Sequence, residues 1–185
     1  MLPTRSHIRL TYEDGRWSSG ELRKDHTITM PIAATVFHYG QAAFEGLKAF
    51  ACKDGKVRVF RPDENAARMN QTASHILMPE LPAGVFVDAV KKVVKDNLDY
   101  VPPYGTGGSL YIRPFMFGSG EQLGVAPSKK YEFIIFVSPV GDYYKGGVKP
   151  VDACVVEELD RAAPKGTGHV KFAGNYGASL KPSKM

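Results

Sequence analysis

Apolar residues recur along this chain with two periods, and the switches between them lay out its elements. His7–Tyr12 (HIRLTY) alternates apolar and polar, which predicts a strand. Asp14–Gly15 is a hairpin-type turn signal, after which Arg16–Trp17 resumes extended chain. Residues 21–30 are mixed, with an extended character at Thr27–Met30 before Pro31 interrupts. Phe44–Ala51 and Lys56–Phe60 read as two strands around the Asp54–Gly55 turn. The period then changes. Over Arg61–Ile76, Pro62 suits a first helical turn, and Asp63 and Glu64 put negative charge where the helix dipole favours it. Ala67, Met69, Ala73 and Ile76 supply its expected inward face. A second helix is expected from Val85 to Leu98, with Val87, Val90, Val94 and Leu98 at helical spacing and lysines 91, 92 and 95 on a solvated face. Pro102 and Pro103 stop it. Ser109–Phe117 and Tyr131–Ser138 are strong strands. The second is nearly continuous in apolar residues, as a central strand buried on both faces would be.

Beyond this point the pattern thins. Gly141–Pro150 is turn-rich and reads as a linker, and Val151–Leu159 as a new strand. Glycines 166, 168, 174 and 177 follow. Asn175 is placed to cap a helix that Pro182 stops after about a turn and a half. The fold class expected is therefore α+β: a complete small domain over 1–143, a linker over 144–150, and over 151–185 the first strand, loop and helix start of a second domain. That last unit cannot cover its own apolar strand, so the chain reads as cut off inside a domain.

Composition narrows the classes. The chain has 185 residues, enough for one ordinary domain and a fraction, with 43% hydrophobic and 23% charged residues. The 24 basic and 19 acidic residues leave a net charge of +5, but the basic ones are scattered, so no nucleic-acid partner is expected. Cys52 and Cys154 lie far apart without metal spacing and read as reduced thiols of a cytoplasmic protein. The start MLPTRSHIRLTY lacks the apolar stretch of a signal peptide, and the longest apolar run, FIIFV at 133–137, is far too short to cross a bilayer. No membrane association and no metal are expected.

The stretch richest in chemistry is GTGHVKFAGNYGASL, 166–180. Its glycines allow tight turns or close approach, and Lys171 stands among the apolar or small residues Val170, Phe172 and Ala173. Such surroundings disfavour a lysine's charged form, which is what an amine needs to attack a carbonyl. An ordinary surface lysine in a glycine-rich loop is the alternative.

Five stretches carry a family likeness: FHYGQAAFEGLKAF (37–50), VRVFRPDENAARM (57–69), GSLYIRPFMFGSGEQLGVAP (108–127), SPVGDYYKGGVKPV (138–151) and GHVKFAGNYGASL (168–180). In this order they resemble the branched-chain amino acid aminotransferases, pyridoxal-phosphate enzymes of fold type IV. D-amino acid transaminases and aminodeoxychorismate lyases share that fold, and the GSLYIRP segment fits the branched-chain enzymes better.

The resemblance implies roles. Lys171 matches the lysine that bonds to the aldehyde of pyridoxal 5′-phosphate and carries a proton at the substrate α-carbon. Arg68, in ENAARM, matches the arginine that clamps the cofactor phosphate, with Arg61 of FRP as a nearby alternative. Tyr176, in GNYG, matches a tyrosine beside the cofactor ring. Phe44 and Tyr111 match pocket walls for an aliphatic side chain. Arg113, with Tyr39 contributed across a homodimer, would receive the second carboxylate of glutamate. An arginine between Ile112 and Pro114 is costly to bury without a partner, which favours a specific anion there. The implied activity moves the amino group of leucine, isoleucine or valine to 2-oxoglutarate.

The likeness also has a departure. Family members continue past GNYGASL through most of a second domain, whereas LKPSKM here does not resemble that continuation. The expectation is a truncated chain, inactive by itself; the alternative is a catalytically dead remnant serving only as a dimerisation or binding module.

Overall fold

The computed structural model describes residues 2–82, 84–141 and 149–184. Eight strands form one antiparallel sheet in the order β2-β1-β8-β7-β5-β6, with β3 beside β1 and β4 beside β7. The strands are β1 His7–Glu13, β2 Arg16–Trp17, β3 Glu21–Arg23, β4 Ala42–Phe44, β5 Leu47–Ala51, β6 Val57–Val59, β7 Ser109–Gly118 and β8 Tyr131–Val140. Asp14 and Gly15 both have positive φ, so the β1–β2 turn has the handedness that suits a two-residue hairpin. β8 lies between β1 and β7 and is buried along most of its length, as its apolar run predicts.

One sheet face is the core. Ile8 and Leu10 of β1, Leu110, Ile112 and Met116 of β7, and Phe133, Ile135 and Val137 of β8 are buried together with the inner faces of α2 (Pro62–His75) and α3 (Val85–Asp96). α1 is a single turn, Thr35–Tyr39.

Several expected details differ. In α2 the buried residues are Met69, Thr72 and Ala73; Ala67 is exposed, and Ile76 caps the helix and packs at the core's margin. α3 buries Phe86, Ala89, Val90, Val93 and Val94, and Val87 only packs at the margin. Its α-helical turns end at Asp96, and Leu98 opens a 3₁₀ turn, 46% exposed. The strand in this part of the chain is Glu21–Arg23: β1 offers its edge to it, and 27–30, expected to be extended, has no ladder partner among the described residues.

β4 and β5 are one strand interrupted. Their partners on β7 stay in a single register, Phe44 opposite Phe115 and Leu47 opposite Ile112. The break falls at Pro114, which has no N–H to donate, although its carbonyl still accepts from the Glu45 N–H at 2.8 Å. Register therefore keeps Glu45 on the core face with Ala43, Leu47 and Ala49.

Most of the expected linker lies outside the described residues; of 144–150 only Lys149 and Pro150 are described. The strand expected over Val151–Leu159 does not form. No neighbour pairs with it among the described residues, and Val151 and Val155 are exposed. Regular contact resumes at Phe172, which bridges Ala43 on the outer edge of β4. The following helix α4 is the single turn Gly174–Gly177, and its flanking residue at the start is Ala173, not Asn175. Asn175 turns inward instead, where Nδ2 donates to the carbonyls of Thr167 (2.6 Å) and Val170 (3.0 Å). A last 3₁₀ turn spans Pro182–Lys184.

Candidate active site

The open face of the sheet and the segment on its edge bring together five of the seven residues singled out in the sequence. Lys171 lies on the edge of β4, where three hydrogen bonds fix its segment, two to the β4 backbone and one to a side chain of α2. The Phe44 N–H donates to the Lys171 carbonyl (3.3 Å), the Ala173 N–H donates to the Ala42 carbonyl (2.9 Å), and the Lys171 N–H donates to Thr72 Oγ1 (2.9 Å). This pairing puts Lys171 on the same face as Phe44. Its Nζ donates to Tyr176 Oη at 2.8 Å and stands 4.5 Å from the centre of the Phe44 ring and 4.9 Å from that of Tyr176. The two rings meet edge to face at 4.7 Å.

Arg113 approaches the Phe44 ring too, with Cζ 4.9 Å from its centre. Alternation along β7 puts Tyr111 on that same face, and Arg113 Nη2 donates to Tyr111 Oη at 2.9 Å. Gly46 makes room for this: a Cβ there would collide with the Tyr111 hydroxyl. Arg113 Nε is buried and has no hydrogen-bond partner among the described residues. A cation held between aromatic faces with an unused donor suits an incoming anion.

Arg68 stands to one side on α2. Its Nε and Nη2 donate to the two carboxylate oxygens of Glu45 at 2.6 and 2.8 Å. Those hydrogen bonds are the main cause that raises the Arg68 pKa above its ordinary value, against an opposing effect of burial. The Arg68 side chain is 50% exposed and Glu45 is fully buried, so the guanidinium bridges the core and the solvent. Nη1 makes no hydrogen bond among the described residues and remains able to meet an anion. Arg61, the alternative, opens α2 and pairs with Glu64 on the surface. Tyr39 stands apart: its hydroxyl donates to the Leu123 carbonyl on the β7–β8 connection.

Two residues of the site were not singled out beforehand. Glu45 receives Arg68 and also Asn65 Nδ2 at 2.7 Å. Its signal was an acid at a core-facing strand position, where an unpartnered charge would be prohibitive. Thr72 had a weaker signal, a hydroxyl on the buried face of α2. Lys171, Tyr176, Phe44, Tyr111 and Arg113 thus form an aromatic and cationic cluster around one amine, with Arg68 adjacent.

No family model matches the chain. Its sequence does match branched-chain-amino-acid aminotransferases: 49% identity over 174 residues with that of Haemophilus influenzae, covering 94% of this chain and 50% of the relative. The Helicobacter pylori enzyme is 47% identical over 176 residues, covering 95% of this chain and 52% of its own length. Branched-chain-amino-acid aminotransferase 5, chloroplastic, of Arabidopsis thaliana is 50% identical over 172 residues, covering 93% and 41%. The chain therefore spans about half the length of the curated relatives it matches. Among solved structures, a branched-chain amino acid aminotransferase with pyridoxamine 5′-phosphate superposes with a TM-score of 0.68 at 21% identity, over 98% of this chain and 55% of that one. The Thermoproteus uzoniensis enzyme with norvaline gives 0.67 at 24%, over 95% and 55%. These likenesses establish the fold: the mixed helix and antiparallel-sheet architecture is that of fold type IV.

Proposed function

Starting from a chain that is kin, over nearly all of its own length, to the branched-chain aminotransferases, we propose that it carries the lysine-bearing half of a pyridoxal-phosphate site. The protein of the relatives' full length would move the amino group of leucine, isoleucine or valine to 2-oxoglutarate, releasing the branched 2-oxo acid and glutamate. The observation that carries this reading is the Lys171 amine, 2.8 Å from the Tyr176 hydroxyl and over the Phe44 ring that Arg113 also approaches.

The donor set fits the cofactor's chemistry. Pyridoxal phosphate offers an aldehyde, a phosphate and an aromatic ring; the site offers an amine, guanidinium donors and aromatic faces. Lys171 would hold the cofactor through its aldehyde, Arg68 would meet the phosphate with its Nη1 edge, and Tyr176 would lie beside the ring. When bound, the cofactor supplies an electron sink for the substrate α-carbon.

The chain's own residues do the rest. Once the amino-acid substrate has displaced it, the Lys171 amine takes the proton from the α-carbon of the branched-chain amino acid. In the second half of the reaction it delivers a proton to the α-carbon of the new glutamate, a task arginine cannot do because it stays protonated. Tyr176 orients that amine through the shared hydrogen bond. Phe44 and Tyr111 wall off the place of an aliphatic side chain. Arg113, tethered by Tyr111, supplies donors to the second carboxylate of glutamate or 2-oxoglutarate. Tyr39, which bonds the Leu123 carbonyl in its own chain, contributes across a homodimer. We assign 1–143 to a small domain, 144–150 to a linker and 151–185 to the beginning of a cofactor-binding unit, in a protein of the cytoplasm. Turnover belongs to the full family length, of which this chain spans about half.

Borohydride reduction of the chain loaded with pyridoxal 5′-phosphate, followed by peptide mass analysis, tests the reading. Pyridoxyl label is expected on Lys171 and should be lost in Lys171→Ala. Label on Lys165 or Lys181 in place of Lys171 overturns it.

A further inference from the structure

We propose that Thr72 is a positioning residue that sets the distance between the Lys171 amine and the Arg68 guanidinium; this rests on the cofactor reading above. Thr72 is completely buried on the inner face of α2. Its hydroxyl has one proton and uses it on the Arg68 carbonyl, at 2.9 Å. The same oxygen accepts the Lys171 N–H, also at 2.9 Å. A single side-chain atom therefore joins the backbones of the two residues that would take the two ends of one ligand.

Nothing else in the vicinity does this among the described residues. The other backbone ties of the lysine segment run to β4, through Phe44 and Ala42. Arg68 is fixed at its far end by Glu45, which belongs to the same strand region but touches neither Lys171 nor its loop through a hydrogen bond among the described residues. Threonine at a helix position commonly bonds the carbonyl four residues back, which by itself would be a local detail. The second bond, across 99 positions of sequence, changes its meaning. A buried N–H left without a partner is costly, so losing the oxygen releases Lys171 from α2 instead of leaving the pair in place.

The consequence is specific. A ligand held only through its aldehyde needs Lys171 alone. A ligand held at both ends needs the Lys171–Arg68 spacing to be right beforehand, because ordering it on binding weakens affinity. Thr72 should matter for the second kind and not for the first.

The test compares pyridoxal 5′-phosphate with pyridoxal, the same aldehyde lacking phosphate, by absorbance titration of the full 185-residue chain. The unaltered chain should favour the phosphate form by about tenfold or more, the scale of one charge-assisted hydrogen bond. Thr72→Val keeps the volume and removes the oxygen. It should cut the preference to about threefold or less, with pyridoxal affinity changed by less than about twofold. Thr72→Ser should restore the preference. Equal weakening of both ligands in Thr72→Val, or no change in either, overturns the proposal. If the unaltered chain shows no phosphate preference, or Arg68→Ala keeps it, the cofactor reading itself fails and this inference with it. Hydrogen exchange at the Lys171 amide of the unaltered chain needs no variant. Slow exchange is expected, and exchange as fast as in an exposed loop overturns the proposal even if Thr72→Val does not fold.

Discussion

Phe133–Val137 and Val151–Val156 are both apolar stretches, and they end in opposite states. The first lies in β8, hydrogen-bonded to β1 on one side and β7 on the other, with α3 packed beneath. The second makes no ladder among the described residues, and Val155 is 85% exposed. Apolar content alone does not separate them. What separates them is the presence of an edge to pair with, since a strand's N–H and C=O groups need partners before its side chains can be buried. The 167–176 segment shows the converse. It is rich in glycine and polar residues, yet it is fastened to β4 and α2 by backbone and side-chain hydrogen bonds, with only Val170 joining the buried apolar set. The candidate lysine is thus held mainly by polar contacts, on the rim of a sheet that is held by packing.

The sharpest way to break that contrast is to truncate one large side chain in each region. Phe86, completely covered between α3 and β8, should cost about 3–5 kcal/mol on Phe86→Ala, read as a drop in the urea midpoint. Val155→Ala should stay within about 0.5 kcal/mol. Equal effects would mean that the 151–159 stretch is buried in solution against something and that the contrast is false.

A second probe works on the polar hinge between the regions. Arg68→Ala leaves the carboxylate of Glu45 in the core with Asn65 as its remaining side-chain donor among the described residues. Removing one partner of a fully buried pair costs roughly 3–5 kcal/mol, but Arg68 is half exposed and water can replace part of it, so about 2 kcal/mol is expected. Glu45→Gln in the same background should recover most of the loss, because it removes the buried charge and keeps the shape. If Arg68→Ala destabilises and Glu45→Gln gives no recovery, the pair's role is packing and not charge.

The sequence disclosed the parts of this molecule that depend on local pattern. α2, α3, β1, β7 and β8 fall where period, proline and turn signals put them, because each is long enough for its own pattern to decide. At β3 and over 151–159 pairing decides the outcome instead: Glu21–Arg23 has an edge on β1, and Val151–Leu159 has none among the described residues. In the site, motif order pointed to Lys171, Tyr176, Phe44, Tyr111 and Arg113, which the fold gathers. Glu45 and Thr72 carry only a polar group at a buried position as their signal; their partners are distant in sequence, Arg68 on α2 for Glu45 and the Lys171 segment for Thr72, and only the tertiary fold brings them together. Asn175 stands where its neighbours suggest a helix cap, but its buried amide serves the loop instead.

Asn175 therefore offers a finer separation of the two regions. Asn175→Ala removes donors to two carbonyls and an acceptor for Thr167 Oγ1, a loss of about 1–3 kcal/mol. This loss should fall on local opening of residues 167–176 and not on global unfolding, because the sheet does not depend on that loop. Hydrogen exchange should speed up in the segment and remain unchanged in β7 and β8. Faster exchange throughout the sheet would mean that loop and sheet unfold as one unit.

The smallest expected effect belongs to the sheet region alone. His7 opens β1, and its pKa is lowered from 6.5, first by burial. The nearby Asp25 pulls the other way, while Arg23, His26 and Arg9 add to the lowering. For a base whose folded pKa lies below its unfolded one, the unfolded chain binds more protons between the two values. Stability then rises with pH in that interval. The contribution of His7 is therefore fully present above its unfolded pKa and is lost as pH falls through the folded value. Unfolding midpoints measured downward from about pH 7 should begin to drop near the unfolded histidine pKa, and His7→Gln should flatten that part of the curve. The drop should appear in probes of the sheet, such as the Trp17 ring that lies tilted against Tyr12 and edge-on to Phe133, and not in the local exchange of 167–176. A His7→Gln curve with the same slope as the unaltered chain would assign the acid sensitivity to other groups and leave His7 neutral in its consequences.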